Sequence, residues 1–123
     1  MKYLQLIIGG SLGTLARYAL AGGVYRVWGT SFPYGTLAVN LSGCMLIGFL
    51  AAIAESKFAL SADLRVFLMI GFCGAFTTFS TLIFETNALM VDGQFLRACT
   101  NVLVSVVAGL VLFRLGMVLG KLI

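Results

Sequence analysis

The chain has 123 residues, is 61% hydrophobic and only 10% charged, and carries a formal net charge of +4. A soluble domain carries about a quarter charged residues, so the composition excludes a water-soluble globule and predicts an integral membrane protein in one domain, residues 1–123. Histidine is absent, which removes His-based metal sites and His acid–base catalysis. No phosphate loop, nucleophile elbow or dinucleotide fingerprint occurs either, so the chain reads as neither an enzyme nor a nucleic-acid binder.

The charges divide the chain into uncharged stretches over residues 3–16, 27–54, 66–84 and 98–113. A spanning helix needs roughly 17–25 mostly apolar residues. The second and third stretches qualify as they stand; the outer two qualify once Arg17 and Arg114 lie inside their helices. Four transmembrane helices are predicted, near residues 3–23, 35–54, 66–90 and 98–120. Alternating barrel strands are not seen. The fold class is therefore all-α.

The first predicted helix carries Gly9-xxx-Gly13, a small-residue face for close helix contact. Its start also has the parts of a signal peptide: Lys2, an apolar run and Ala19-Leu20-Ala21. Arg17 beside that cut, and the glycine spacing, argue for a retained helix. Arg17 has two readings, a snorkelling cation or a charge in a wet vestibule that attracts anions. Phe32-Pro33-Tyr34 then closes the first loop, and Pro33 is the only proline. In the second helix Thr36 and Asn40 lie one turn apart on one face. An amide inside a membrane either pins a neighbouring helix or donates to an anion.

Residues 55–63 form a short polar loop, with Ser61 placed to cap the third helix. That helix contains the most unusual segment, Gly71-Phe72-Cys73-Gly74-Ala75-Phe76-Thr77-Thr78-Phe79-Ser80-Thr81. Two glycines and adjacent β-branched threonines weaken a helix. One reading is a backbone opened at mid-span, tolerated only where it is buried in protein or lines water, with freed carbonyls offering oxygen ligands to a cation. The other is an intact helix whose hydroxyls bond back to the i−4 carbonyls. Phe72, Phe76 and Phe79 fall on one helical stripe. Such a stripe serves as core packing, or its positive ring edges cradle a small anion. Glu85 follows one turn beyond Thr81, as a pore-mouth carboxylate or an interfacial charge.

Val91-Asp92-Gly93-Gln94 is a turn signal before the fourth helix, where Gly116-xxx-Gly120 repeats the small-residue spacing. Lys2, Lys57, Arg65 and Lys121 fall on one side of a four-span chain and Arg26 and Arg97 on the other, which favours cytoplasmic termini. Cys44, Cys73 and Cys99 all fall inside predicted spans and read as small apolar fillers.

Together these motifs resemble the Fluc fluoride channels, the CrcB family. Gly9-Gly10-Ser11-Leu12-Gly13 with Ala16-Arg17-Tyr18 is similar to that family's first-helix signature. Gly35-Thr36-Leu37-x-Val39-Asn40-x-x-Gly43 is similar to its second, and Gly71-Phe72-Cys73-Gly74-x-x-Thr77-Thr78-Phe79-Ser80-Thr81 to its third; Glu85 matches as well. The resemblance covers essentially the whole chain. It implies an antiparallel, dual-topology dimer of four-helix subunits in the cell membrane, with two narrow fluoride pores. A structural sodium ion would be held at the dimer centre by carbonyls of an interrupted third helix, here Gly74 and Thr77. Phe79 would line the pore and Asn40 would orient it or donate to fluoride. Ser80 and Thr81 would form a polar track and Arg17 the aqueous vestibule. Thr36 and Glu85 complete the candidate pore residues.

Two departures stand out. Leu82 and Ile83 occupy the places where the family has a second phenylalanine and a small or polar residue, and Gly109 stands where a polar residue is expected in the fourth helix. Leucine has no ring edge to offer an anion. With the charge bias, this raises the expectation of a paralogous partner subunit, a homodimer being the alternative. The rival class is a proton-coupled exporter of the small multidrug resistance type, which needs a membrane-embedded carboxylate in its first helix; Arg17 stands there instead.

Overall fold

A run of apolar residues becomes a helix in a membrane because every backbone N–H and C=O must find a partner within the segment. The computed structural model describes residues 1–56 and 60–123; Lys57, counted in the charge bias, lies outside them. Helix α1 spans Lys2–Trp28. It runs past the expected end near residue 23, because Gly22 and Gly23 lower helix propensity by only about 1 kcal/mol each and neither takes a left-handed conformation. The stop comes at Gly29, whose φ of 85° turns the chain out while its N–H returns to Tyr25 O at 2.9 Å. Arg26 is thus in the last turn of α1 and not in the loop, a favourable place for a cation.

Helix α2 spans Tyr34–Glu55 and starts directly after Pro33. The next run opens with the single turn α3, Ala62–Arg65, whose Leu64 N–H donates to Ser61 Oγ at 3.2 Å, as the sequence predicts. It continues as a π-helical segment, Val66–Cys73, then α4, Gly74–Phe76. Thr77 and Thr78 are extended, with φ/ψ of −88°/154° and −150°/116°. Helix α5, Phe79–Val91, follows, and Gly93 at φ 77° turns the chain into α6, Phe95–Lys121.

Among the described residues all regular structure is helical. Three runs, Tyr34–Glu55, Ala62–Val91 and Phe95–Lys121, are long and apolar enough to cross a membrane. Helix α1, with 27 residues, has the length but also carries Gln5, Ser11, Thr14 and Arg17.

Helix α2 packs most extensively on α6, and α1 on the π-helical segment. Small residues set both contacts. A Cβ at Gly116 would collide with Met45 O, one at Gly48 with Phe113 O, and one at Gly120 would lie 2.8 Å from Phe49 O. A Cβ at Gly9 would lie 2.5 Å from Phe67 O, and one at Gly13 would meet Phe72 O. Both Gly-xxx-Gly faces therefore serve contacts within this chain. The core holds Val39, Cys73, Ala52 and Ala98, and a buried polar pair in which Asn101 Nδ2 donates to Thr86 Oγ1 at 3.0 Å and ties α6 to α5. Large apolar side chains such as Leu15, Leu103, Val107 and Leu110 face outward, as in a protein surrounded by lipid.

Candidate functional site

The site is built around Thr77 and Thr78, where the backbone leaves the helix. In an unbroken helix the N–H of Thr78 would bond Gly74 O, and that of Thr81 would bond Thr77 O. Neither does so. Thr78 N–H donates to Asn40 Oδ1 at 2.8 Å, and Asn40 Nδ2 donates to Thr78 O at 3.0 Å. One side chain of α2 thus holds both backbone polar groups of residue Thr78. Thr81 N–H donates to Thr78 Oγ1 at 3.3 Å, a side-chain cap that starts α5. Gly74 O and Thr77 O are left without their helical donors. On the other side, Arg17 Nε donates to Ala75 O at 3.0 Å, placing a cation at the C-terminal end of α4.

The hydroxyls divide between two jobs. Thr77 Oγ1 bonds back to Cys73 O at 2.9 Å, the i−4 pattern that a threonine adopts in any helix. Thr78 Oγ1 donates to Thr81 Oγ1 at 3.0 Å and lies 3.4 Å from Ser80 Oγ, so residues 78, 80 and 81 form one hydroxyl cluster at the start of α5.

Two cavities meet at this point, and a third adjoins the second at Tyr25 and Glu85. The first, 290 Å³, is lined by Asn40, Thr77, Thr78, Phe79, Leu82 and Ser105 among others. The second, 380 Å³, is lined by Arg17, Tyr25, Thr36, Thr78, Thr81 and Glu85 among others. Thr78 is a wall of both. The third, 340 Å³, has Thr30, Pro33 and Asp92 on its wall.

Of the residues singled out from the sequence, Arg17, Thr36, Thr81 and Glu85 meet at the second cavity, and Asn40, Thr77 and Phe79 at the first. Ser80 and Gly74 are exposed, with open space beside the Gly74 Cα. The aromatic stripe does not run straight. Phe72 and Phe76 stack at 5.6 Å and Phe76 is buried, whereas Phe79, beyond the extended pair, is 74% exposed. Leu82, by contrast, is only 6% exposed and faces the first cavity. Asn40 pins the Thr78 backbone from α2 through both atoms of its amide.

Three contributors were not singled out from the sequence. The polar group that α6 turns to the first cavity is Ser105, one turn before Gly109, and its buried Oγ has no partner among the described residues. Asn101, the buried α5–α6 tie, was signalled only by being an amide in a span. Tyr25 donates from its hydroxyl to Glu85 Oε2 at 3.0 Å across 60 residues of chain, a pairing no local pattern announces.

A multi-pass helical membrane protein with its polar side chains gathered where one helical run turns extended is what these observations define. Known proteins carry the reading further. The family described as "CrcB-like protein, Camphor Resistance (CrcB)" matches residues 4–117. A fluoride-specific ion channel FluC of Desulforapulum autotrophicum is 43% identical over 122 residues, 99% of this chain and 98% of the relative. Proteins of the same name from Citrifermentans bemidjiense and Geobacter sulfurreducens are each 50% identical, over 121 and 108 residues. The former alignment covers 98% of this chain and 96% of the relative, the latter 88% and 87%. The chain belongs to the CrcB family, whose curated relatives are named as channels and not as enzymes.

Proposed function

We propose that this chain is a subunit of a passive, fluoride-selective channel that lets fluoride leave the cytoplasm. In this reading α1 is a fourth span, the extended pair Thr77–Thr78 lies at mid-membrane, and two antiparallel subunits enclose two pores. The observation that carries it is the Asn40 clamp on the Thr78 peptide. It holds open a helical run at a point walled by hydroxyls, an arginine and an exposed phenylalanine, and displays polar groups along a path that hydrocarbon would otherwise fill. Selectivity then comes from a narrow path with few, fixed donors. Hydrogen fluoride crosses membranes neutral and ionises inside. A potential negative inside drives the anion out by about 2.3 kcal/mol per charge per 100 mV, so a passive pore suffices.

The residues present fit a structural sodium ion in one respect: Gly74 O and Thr77 O have lost their helical donors to Asn40 and to the Thr78 cap. Hard cations take oxygen ligands, and two carbonyls from one chain call for a second subunit to supply the rest. Bound sodium would add a positive charge that ties the two subunits together at that point. The second subunit is read as a paralogue, because Leu82 presents no ring to the first cavity; a homodimer is the alternative. Arg17 is read as the vestibule cation, with Phe79, Ser80, Thr81, Thr36 and Glu85 along the path.

The test is fluoride efflux from liposomes that contain only this protein, read with a fluoride electrode beside a chloride control. Fast fluoride-selective efflux supports the channel and rejects the obligate partner. Efflux appearing only when a second subunit is added supports both. No efflux in either case rejects the channel.

A further inference from the structure

Glu85 sits between two cavities. Among the described residues, Tyr25 and Glu85 alone line both the 380 Å³ cavity of Arg17 and the 340 Å³ cavity of Asp92. The Tyr25 hydroxyl donates to Glu85 Oε2 at 3.0 Å, while Oε1 is buried with no partner among the described residues. A carboxylate with one oxygen held and one unheld is fixed in position by its single donor. The ring of Tyr25 is fixed in turn. It lies against Gly35, where an added Cβ would meet ring carbons at 2.7 and 2.8 Å. Tyr25 reaches this place because α1 continues helical to Trp28.

We propose that Tyr25 is a positioning residue that holds the Glu85 carboxylate across the divide between these cavities, making the Tyr25–Glu85 pair a constriction that an ion crosses between the Arg17 cavity and the outer one. The inference rests on the channel reading for its consequence, though not for the contact itself. The two sides of the pair differ in charge. Arg17, Tyr18 and Thr36 face it from the inner cavity, and Asp92, at the end of α5, faces it from the outer cavity. An anion attracted to Arg17 therefore meets two carboxylates on its way across. The position of Glu85, set by the tyrosine hydroxyl, decides how closely it passes the first. A phenylalanine at 25 would keep the ring against Gly35 and remove the hydroxyl, which donates to Glu85 and also neighbours Thr36; the alanine background at 85 separates the two.

The experiment is a double-mutant cycle of Tyr25→Phe and Glu85→Ala, read as fluoride efflux from liposomes and as melting temperature in detergent. Tyr25→Phe is expected to change efflux on the order of tenfold, the scale of one charge-assisted hydrogen bond, and to have no further effect once Glu85 is alanine. Equal effects of Tyr25→Phe in both backgrounds would overturn the proposal, because a tyrosine acting through packing alone does not depend on Glu85. So would a Tyr25→Phe protein with wild-type efflux. Where Glu85→Ala abolishes flux, the melting cycle decides: non-additive shifts support the pair and additive shifts overturn it. A wild-type protein that carries no fluoride but shows coupled melting rejects the channel reading and leaves the contact standing.

Discussion

Replacing Asn40 with alanine deletes both hydrogen bonds to the Thr78 backbone and leaves its N–H and C=O without partners in the open conformation. Each orphaned group costs about 1–3 kcal/mol when buried. Both bonds are only partly buried, so the lower half of the doubled range applies, about 2–4 kcal/mol. The effect is local before it is global. Without the clamp, the freed Thr78 N–H can return to Gly74 O and close the helix through residues 77 and 78, which shortens the path between the first two cavities. The assay is paired: melting temperature of the purified protein in detergent, and fluoride efflux after reconstitution. A melting temperature lowered by roughly 10 °C, with efflux reduced at least tenfold, is expected. Asn40→Asp keeps the acceptor for Thr78 N–H but sets a second oxygen against Thr78 O, and is expected to be no better than alanine. A stable, fully conducting Asn40→Ala protein would refute the clamp as the reason the backbone stays open.

Gly116→Ala puts a methyl group onto Met45 O, a backbone atom that moves only if α2 and α6 separate, and should cost about 1–3 kcal/mol on chemical or thermal unfolding; wild-type stability would show that the helices adjust freely. Leu82→Phe fills part of the 290 Å³ cavity beside Asn40 with a ring, so the variant is expected to melt within about 1 kcal/mol of wild type and to conduct fluoride faster when reconstituted alone; slower efflux would show that leucine is the working residue there. Exchanging sodium for a large organic cation should lower the melting temperature if the Gly74 and Thr77 carbonyls hold sodium, by the mass-action amount that ligand removal gives, and the loss should disappear on adding sodium back. An unchanged melting curve would reject the ion.

The elements were largely legible because charge spacing fixes where a helix can be buried in hydrocarbon. The errors fall where that signal is silent. Arg26 reads as a loop charge, yet it sits in the last turn of α1, since positive φ at Gly29 and not charge ends the helix. The π-helical geometry of Val66–Cys73 has no pattern of its own and accompanies close contact of the Gly71 backbone with Gly9, whose Cα is 3.3 Å from an ideal Gly71 Cβ. The composition of residues 71–81 marked a weak backbone but not which peptide would leave the helix. That depends on Asn40, 38 residues away in sequence. Ser105 is a lone hydroxyl in an apolar run, with nothing local to say that it faces the first cavity, and the Tyr25–Glu85 contact joins groups that only the folded chain brings together.

The clamp also constrains how the chain is made. Its side-chain half, Asn40, lies in α2 and leaves the ribosome before the peptide it holds. A segment 62–91 arriving in the bilayer on its own carries an N–H and a C=O at residue 78 that lipid cannot satisfy, whereas one arriving beside an already inserted α2 finds both partners in a single amide. The second helix is in this sense a docking template for the third, since one amide side chain answers both backbone groups of Thr78.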